Sequence, residues 1–245
     1  MRFFGLIGYP LGHSFSKKYF TEKFDKEGIN GRYDLYELRE IDEFAGLKNM
    51  TDLCGLNVTI PYKQQIIPFL DELDPVATEI GAVNVIKFIR QNNELKLKGF
   101  NSDAVGFMQS IQPYLRPHHR KALILGTGGA SKAIDYSLRM MGVETKFVSR
   151  SPVNGQFSYH DLNEDILTEY HVIINASPVG TFPHVDSCPD IPYRFLTSGH
   201  LLFDSVYNPA ETLFLQKGKA QGTSVLNGEG MLTGQAEAAW KIWNE

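Results

Sequence analysis

The run Leu123-Ile-Leu125, followed at once by Gly126-Thr-Gly128-Gly129-Ala130-Ser131 and a helix-forming stretch from Lys132 to Met141, leaves this chain few folds to adopt. An apolar strand that stops at a glycine turn and continues as a helix opens a parallel crossover, so the surrounding half of the chain must build an α/β sheet. The glycines permit a tight turn and close backbone approach. The helix start offers unpaired N–H groups at the positive end of its dipole, which suits a pyrophosphate. Ala130 and Ala133 supply small residues where helix and strand pack closely. Glycines alone would fit a plain structural turn equally well. With strand and helix on either side, the reading is a Rossmann phosphate loop made of Gly126, Gly128, Gly129, Ala130 and Ser131.

The second strand of this half, Thr145 to Val148, runs into Ser149-Arg150-Ser151. An acidic residue there would hydrogen-bond a ribose 2′-hydroxyl and repel a 2′-phosphate, and none is present. Arg150 can stack on adenine and pair a phosphate through its planar fork, which favours NADP over NAD. The alternative is a surface arginine after a strand. Further strands fit Val172 to Ala176 and Leu201 to Asp204, and a helix from Asp103 to Leu115 precedes the unit and ends near Pro117.

The first half alternates strands and helices: Phe3 to Ile7, Ser16 to Glu27, Tyr33 to Glu37, Ile41 to Leu47, then a strand at Leu56 to Ile60 that must stop at Pro61. The apolar spacing of Tyr62 to Leu70 predicts a short helix begun by Pro61. Lys63 then sits at a strand-to-helix junction, where it is either a proton donor facing a cleft or a solvated lysine on the first turn. The last helix, Met231 to Trp243, is apolar on one face and is expected to pack back on the first half. That makes the first domain discontinuous, residues 1–102 and 228–245, around a second domain of residues 103–227.

A net charge of −4, without any Lys or Arg run, argues against nucleic-acid and membrane-surface partners and for small solutes. No apolar stretch has transmembrane length and the opening ten residues are too soon broken for a signal peptide, so a cytoplasmic protein is expected. Cys54 and Cys188 lack metal-ligand spacing and read as reduced packing residues, and no metal is expected. Asn57-Val-Thr59 and Asn175-Ala-Ser177 match the glycosylation sequon, which has no use in that compartment, so these asparagines need another explanation.

In chain order, Gly8-Tyr-Pro-Leu-Gly-His-Ser14-Phe-Ser16, Asn57-Val-Thr59-Ile-Pro-Tyr-Lys63, Gly81-Ala-Val-Asn84, Asn101-Ser-Asp103, the glycine turn, Asn175-Ala-Ser-Pro-Val-Gly180 and Asn227-Gly-Glu-Gly-Met-Leu-Thr-Gly-Gln235 resemble the shikimate dehydrogenase family over nearly the whole length. The resemblance implies an N-terminal α/β substrate domain plus an NADP-binding Rossmann domain, with the active site in the cleft between them. It implies reversible reduction of 3-dehydroshikimate to shikimate in aromatic amino-acid biosynthesis, by a monomer or homodimer. The family's catalytic lysine and aspartate fall on Lys63 and Asp103. A ketone receiving hydride develops alkoxide charge, which a lysine can protonate while an aspartate orients it. The two serines that hold the substrate carboxylate fall on Ser14 and Ser16, which by position alone could equally be caps of the following helix. Thr59, Asn84 and Gln235 would read the ring hydroxyls, since an amide donates and accepts at once. Tyr207 would add a contact near the carboxylate, and Gly228 would join Ser149, Arg150 and Ser151 at the cofactor.

The chain departs from the family at Thr127 in the glycine turn, at Ser149 and Ser151 around Arg150, and at Asn154, where a second phosphate-binding arginine is usual. A weaker preference for NADP is expected. Ser102 replaces the usual threonine before Asp103, a mild change. The chain is shorter than most members, and a terminal helix of longer relatives is expected to be missing. Two rivals stay open: a relative that accepts quinate or NAD, and a non-catalytic dinucleotide-binding regulator, which would be expected to lack Lys63 or Asp103.

Overall fold

The computed structural model describes residues 1–12, 14–92 and 94–245, and the chain divides into two units, Met1–Ser102 with Gln235–Glu245, and Asp103–Gly234. The first unit contains β1 (Arg2–Gly8), α1 (Phe15–Glu27), β2 (Gly31–Glu37), α2 (Phe44–Leu47), β3 (Leu53–Val58), β4 (Glu72–Leu73), α3 (Pro75–Ile80), β5 (Val85–Gln91) and β6 (Glu94–Phe100). Its sheet has the order β2-β1-β3-β5-β6-β4. β1 lies parallel to β2 and β3, whereas β5 is antiparallel to both β3 and β6. The sheet is therefore mixed.

Two local expectations in this unit are corrected. β3 ends at Val58, two residues before the expected Ile60, with the Thr59 N–H still donating to Ile7 O of β1 at 2.9 Å. No α-helix follows Pro61. The chain turns to Ile66 and then makes a single tight turn at Ile67–Phe69. Pro68 is the reason: it lacks an N–H, and its ring would press on the carbonyl four residues back, so the one helical bond from Ile66 N to Tyr62 O, 2.9 Å, cannot propagate.

The second unit holds α4 (Asp103–Ile111), β7 (Lys121–Leu125), α5 (Gly129–Met140), β8 (Glu144–Ser149), β9 (Phe157–Ser158), α6 (Glu164–Glu169), β10 (Val172–Asn175), β11 (Leu201–Asp204), α7 (Leu213–Ala220) and β12 (Ser224–Leu226), and α8 (Glu229–Asn244) begins in it. α4 stops short of Leu115 because Pro113 lies in the turn that follows it. The six strands run parallel in the order β12-β11-β10-β7-β8-β9. A sheet buried on both faces reads as continuous apolar runs, and Ala122–Leu125, Val172–Ile174 and Leu201–Phe203 have no exposed surface. The strand order reverses between β7 and β10, the place where doubly wound sheets bind ligands.

The return to the first unit falls inside α8, between Gly234 and Gln235, seven positions after the expected 228. The helix itself explains the shift. Met231 belongs to the second unit's apolar core with Phe107 and Phe203, and any Cβ on Gly234 would lie 2.9 Å from Gly106 Cα. Ala236, Ala239 and Trp243 instead join Phe4, Phe20 and Tyr33 in the first unit's core.

Candidate functional site

In the first unit the Asn57–Lys63 segment leaves β3 as a turn fixed at both ends. Tyr62 is buried and its hydroxyl donates to Leu38 O at 2.6 Å, while the Lys63 carbonyl accepts from Val83 N at 2.7 Å. The Lys63 side chain is half-buried. Thr59, also half-buried, comes up against Gly8, where any side chain would overlap its methyl group.

Asn84 knits this region together. Its backbone N–H donates to Phe100 O at 3.0 Å, and its carbonyl accepts from Val58 N at 2.9 Å and from Asn57 Nδ2 at 3.3 Å. Its side-chain oxygen accepts from Ser102 N at 2.7 Å, and its nitrogen donates to Gln235 Oε1 at 3.2 Å. The structure thus brings Asn84 and Gln235 together, although 151 positions separate them. Asp103 follows Ser102 directly as the first residue of α4 and is 1% exposed.

Ser14 caps α1, its Oγ accepting from Lys17 N at 3.3 Å. The Ser16 hydroxyl interacts with the buried Tyr33 phenol, which donates to Asn57 Oδ1 at 2.7 Å. Burial holds the Tyr33 phenol well above its ordinary range, with the Ser16 hydroxyl opposing that shift. Tyr33 lies on β2, outside every motif read from the sequence, and only the fold sets it between Ser16 and Asn57. Asn57 needs no glycan to account for it.

In the second unit the glycine turn joins β7 to α5. Gly126 holds φ at 113°, a value L side chains rarely adopt, and its N–H donates to Val148 O at 3.0 Å. Gly128 is the N-cap of α5 and has no side-chain cap, while a Cβ on it would meet nothing within 4 Å. The first N–H groups of a twelve-residue helix thus open onto an uncrowded turn, and the donor set fits a pyrophosphate. Ser131 is buried and its hydroxyl donates back to Gly128 O at 2.6 Å, so it braces the turn. β8 ends at Ser149, whose Oγ accepts from Ser151 N at 3.1 Å; Arg150 and Ser151 are exposed.

Tyr207 stands in the loop after β11 and is 38% exposed. Gly228 is buried, its N–H donates to Val206 O at 3.2 Å, and a Cβ would overlap the Ser205 carbonyl. Close packing against that carbonyl accounts for the glycine. Asn175 likewise serves the backbone: its side-chain oxygen accepts from Ser177 N at 3.1 Å and Ser177 Oγ at 2.6 Å, and its nitrogen donates to Val179 O at 3.1 Å. Among the described residues no group of three or more His, Cys, Asp or Glu is arranged to hold a metal ion, and no helix is long and apolar enough to cross a membrane.

A family model for the shikimate dehydrogenase substrate binding domain matches residues 6–86. The chain is 36% identical to the shikimate dehydrogenase (NADP(+)) of Halothermothrix orenii over 98% of this chain and 89% of that protein. It is 33% identical to the protein of the same name from Desulforamulus reducens over 98% and 88%. Among solved structures it resembles the shikimate 5-dehydrogenase of Thermus thermophilus in complex with NADP(H) and shikimate, with a TM-score of 0.86 at 29% identity, covering 99% of this chain and 93% of that one.

Proposed function

The chain belongs to the shikimate dehydrogenase family, and we propose that it reduces 3-dehydroshikimate to shikimate, reversibly, with NADPH. The likeness at 36% identity across 98% of the chain to an NADP-dependent shikimate dehydrogenase carries this reading. NADPH, when bound, supplies the hydride. The Lys63 ammonium donates a proton to the carbonyl oxygen as alkoxide charge develops, and in the reverse direction the neutral amine takes it back. Asp103 orients that ammonium and accepts a hydrogen bond from a substrate hydroxyl. The bond from Asn84 Nδ2 to Gln235 Oε1 holds the glutamine by its oxygen, which leaves its nitrogen to serve as a donor to a ring hydroxyl. Thr59 and Asn84 complete the hydroxyl contacts, and Ser14, Ser16 and Tyr207 hold the carboxylate.

Gly126, Gly128, Gly129, Ala130 and the start of α5 would hold the pyrophosphate, with Ser149, Arg150 and Ser151 toward the adenosine end and Gly228 as a further cofactor contact. Arg150→Ala is expected to weaken NADP+ roughly ten- to a hundredfold while moving NAD+ little, as measured by calorimetry. An equal loss for both would remove Arg150 from phosphate recognition. The protein is read as a monomer or homodimer of the cytoplasm, acting on small solutes without nucleic acid, membrane or metal; its net charge of −4 supports the first of these exclusions.

The test is purified protein with shikimate or quinate and NADP+ or NAD+, followed by the absorbance of reduced cofactor. Fastest turnover with shikimate and NADP+ is expected. Quinate turnover of similar rate would make the enzyme a quinate/shikimate dehydrogenase. Silence in all four mixtures would leave a non-catalytic dinucleotide-binding regulator.

A further inference from the structure

We propose that Asp204 is a positioning residue for the dinucleotide, its carboxylate fixing the backbone against which the glycine turn is built. This deepens the family reading and rests on it. Asp204 ends β11 with no exposed surface, in register with Asn175 at the end of β10. Its Oδ1 accepts from Asn175 Nδ2 at 2.9 Å and from Val206 N at 3.0 Å, and its Oδ2 accepts from Thr212 Oγ1 at 2.6 Å. Three segments therefore meet on one buried carboxylate: the turn after β10, the loop bearing Tyr207, and the N-cap of α7.

The connection to the cofactor loop is direct. Asn175, held by Asp204, carries the Ser177 turn on its side-chain oxygen. The Ala176 N–H donates to Leu125 O at 3.0 Å, and a Cβ on Gly126 would lie 3.3 Å from Ala176 O and 3.4 Å from Ser177 Cβ. The phosphate turn is thus stacked on the Ala176–Ser177 backbone at the switch point of the sheet. The two loops also meet beyond the carboxylate, where Phe182 N donates to Asn208 O at 3.0 Å.

Burial pushes the Asp204 carboxyl up to about 6, against the pull of its three donors. The Asp204 charge is felt by Tyr193, whose phenol burial together with Cys188, Asp204 and Asp190 holds far above its ordinary range. As pH falls through about 6 the carboxyl gains a proton and loses the charge that strengthens its three hydrogen bonds. The three segments are then held less firmly, so NADP+ binding should weaken on the acid side.

The experiment is calorimetric titration of the full chain with NADP+ alone, from about pH 5 to about pH 8. Asp204→Asn keeps the shape but removes the charge that strengthens the three bonds; it is expected to raise Kd about tenfold above pH 7 and to abolish the acid-side change, while kcat at saturating NADP+ stays within about threefold. Thr212→Val, which removes one donor, should raise Kd about threefold and serves if Asp204→Asn does not fold. Variants that melt earlier but keep wild-type Kd and its pH dependence would overturn the proposal and leave Asp204 a merely structural residue. A wild-type protein that binds no NADP+ would remove the family reading along with it, whereas binding by wild type with unchanged variants removes this inference alone.

Discussion

Lys63→Ala is expected to lower kcat by roughly two to four powers of ten in both directions, with little change in NADP+ affinity. The size follows from what the side chain does. Hydride addition leaves negative charge on the former carbonyl oxygen, and a positioned donor that meets this charge lowers the barrier without tightening the ground state. The loss should therefore fall on kcat more than on KM. The backbone should survive the substitution, because the turn is held by Tyr62 Oη on Leu38 O at 2.6 Å and by Val83 N on Lys63 O at 2.7 Å, neither of which uses the lysine side chain. Lys63→Arg separates charge from proton transfer: guanidinium keeps the charge yet does not give up its proton near neutrality. It should remain poor. An unchanged kcat in Lys63→Ala would take the residue out of acid–base chemistry and return it to a solvated lysine.

Trp243→Ala is expected to destabilise the first unit by roughly 3–5 kcal/mol. The indole is 6% exposed, packs with its centroid 4.9 Å from Phe4 and 5.3 Å from Phe20, and donates from Nε1 to Ile86 O at 3.1 Å. Gly55 on β3 makes room for it, since any Cβ there would overlap the ring. Truncation would open a cavity and remove one of the hydrogen bonds to a buried carbonyl, two costs that add. Trp243→Phe keeps much of the ring and loses only the N–H, so a smaller loss of about 1–3 kcal/mol is expected. Equilibrium urea unfolding followed by circular dichroism measures both. A loss below about 1 kcal/mol for the alanine variant would mean that the end of α8 is not anchored as described.

What the sequence displayed well was local. Leu123 to Met141 announced strand, turn and helix because each demand falls on neighbouring residues, and the absence of an acid after β8 could be read directly. The β5–β6 hairpin was not legible. Its strands pair with each other, β5 also with β3 and β6 with β4, and Asn92, at a φ of 52°, marks the turn only once the pairing is known. The helix expected from apolar spacing after Pro61 does not form, because Pro68 interrupts it. Asn84 and Gln235 were singled out only through the family pattern; nothing local foretells a hydrogen bond between them. Tyr33 and Asp204 were missed for the same reason. Asp204 ends an apolar strand, as many aspartates do, and its role depends on Asn175 lying opposite in register and on Thr212 turning back toward it.

Hydride transfer between a substrate carbinol carbon and NADP is tested most directly with shikimate carrying deuterium on that carbon. Purified protein, labelled shikimate and NADP+ are incubated and the reduced cofactor is isolated for mass spectrometry. The deuterium is expected in the nicotinamide ring of NADPH, with 3-dehydroshikimate formed in equal amount. Reduced cofactor without the label, or no reduced cofactor from a protein that binds both ligands, would contradict it.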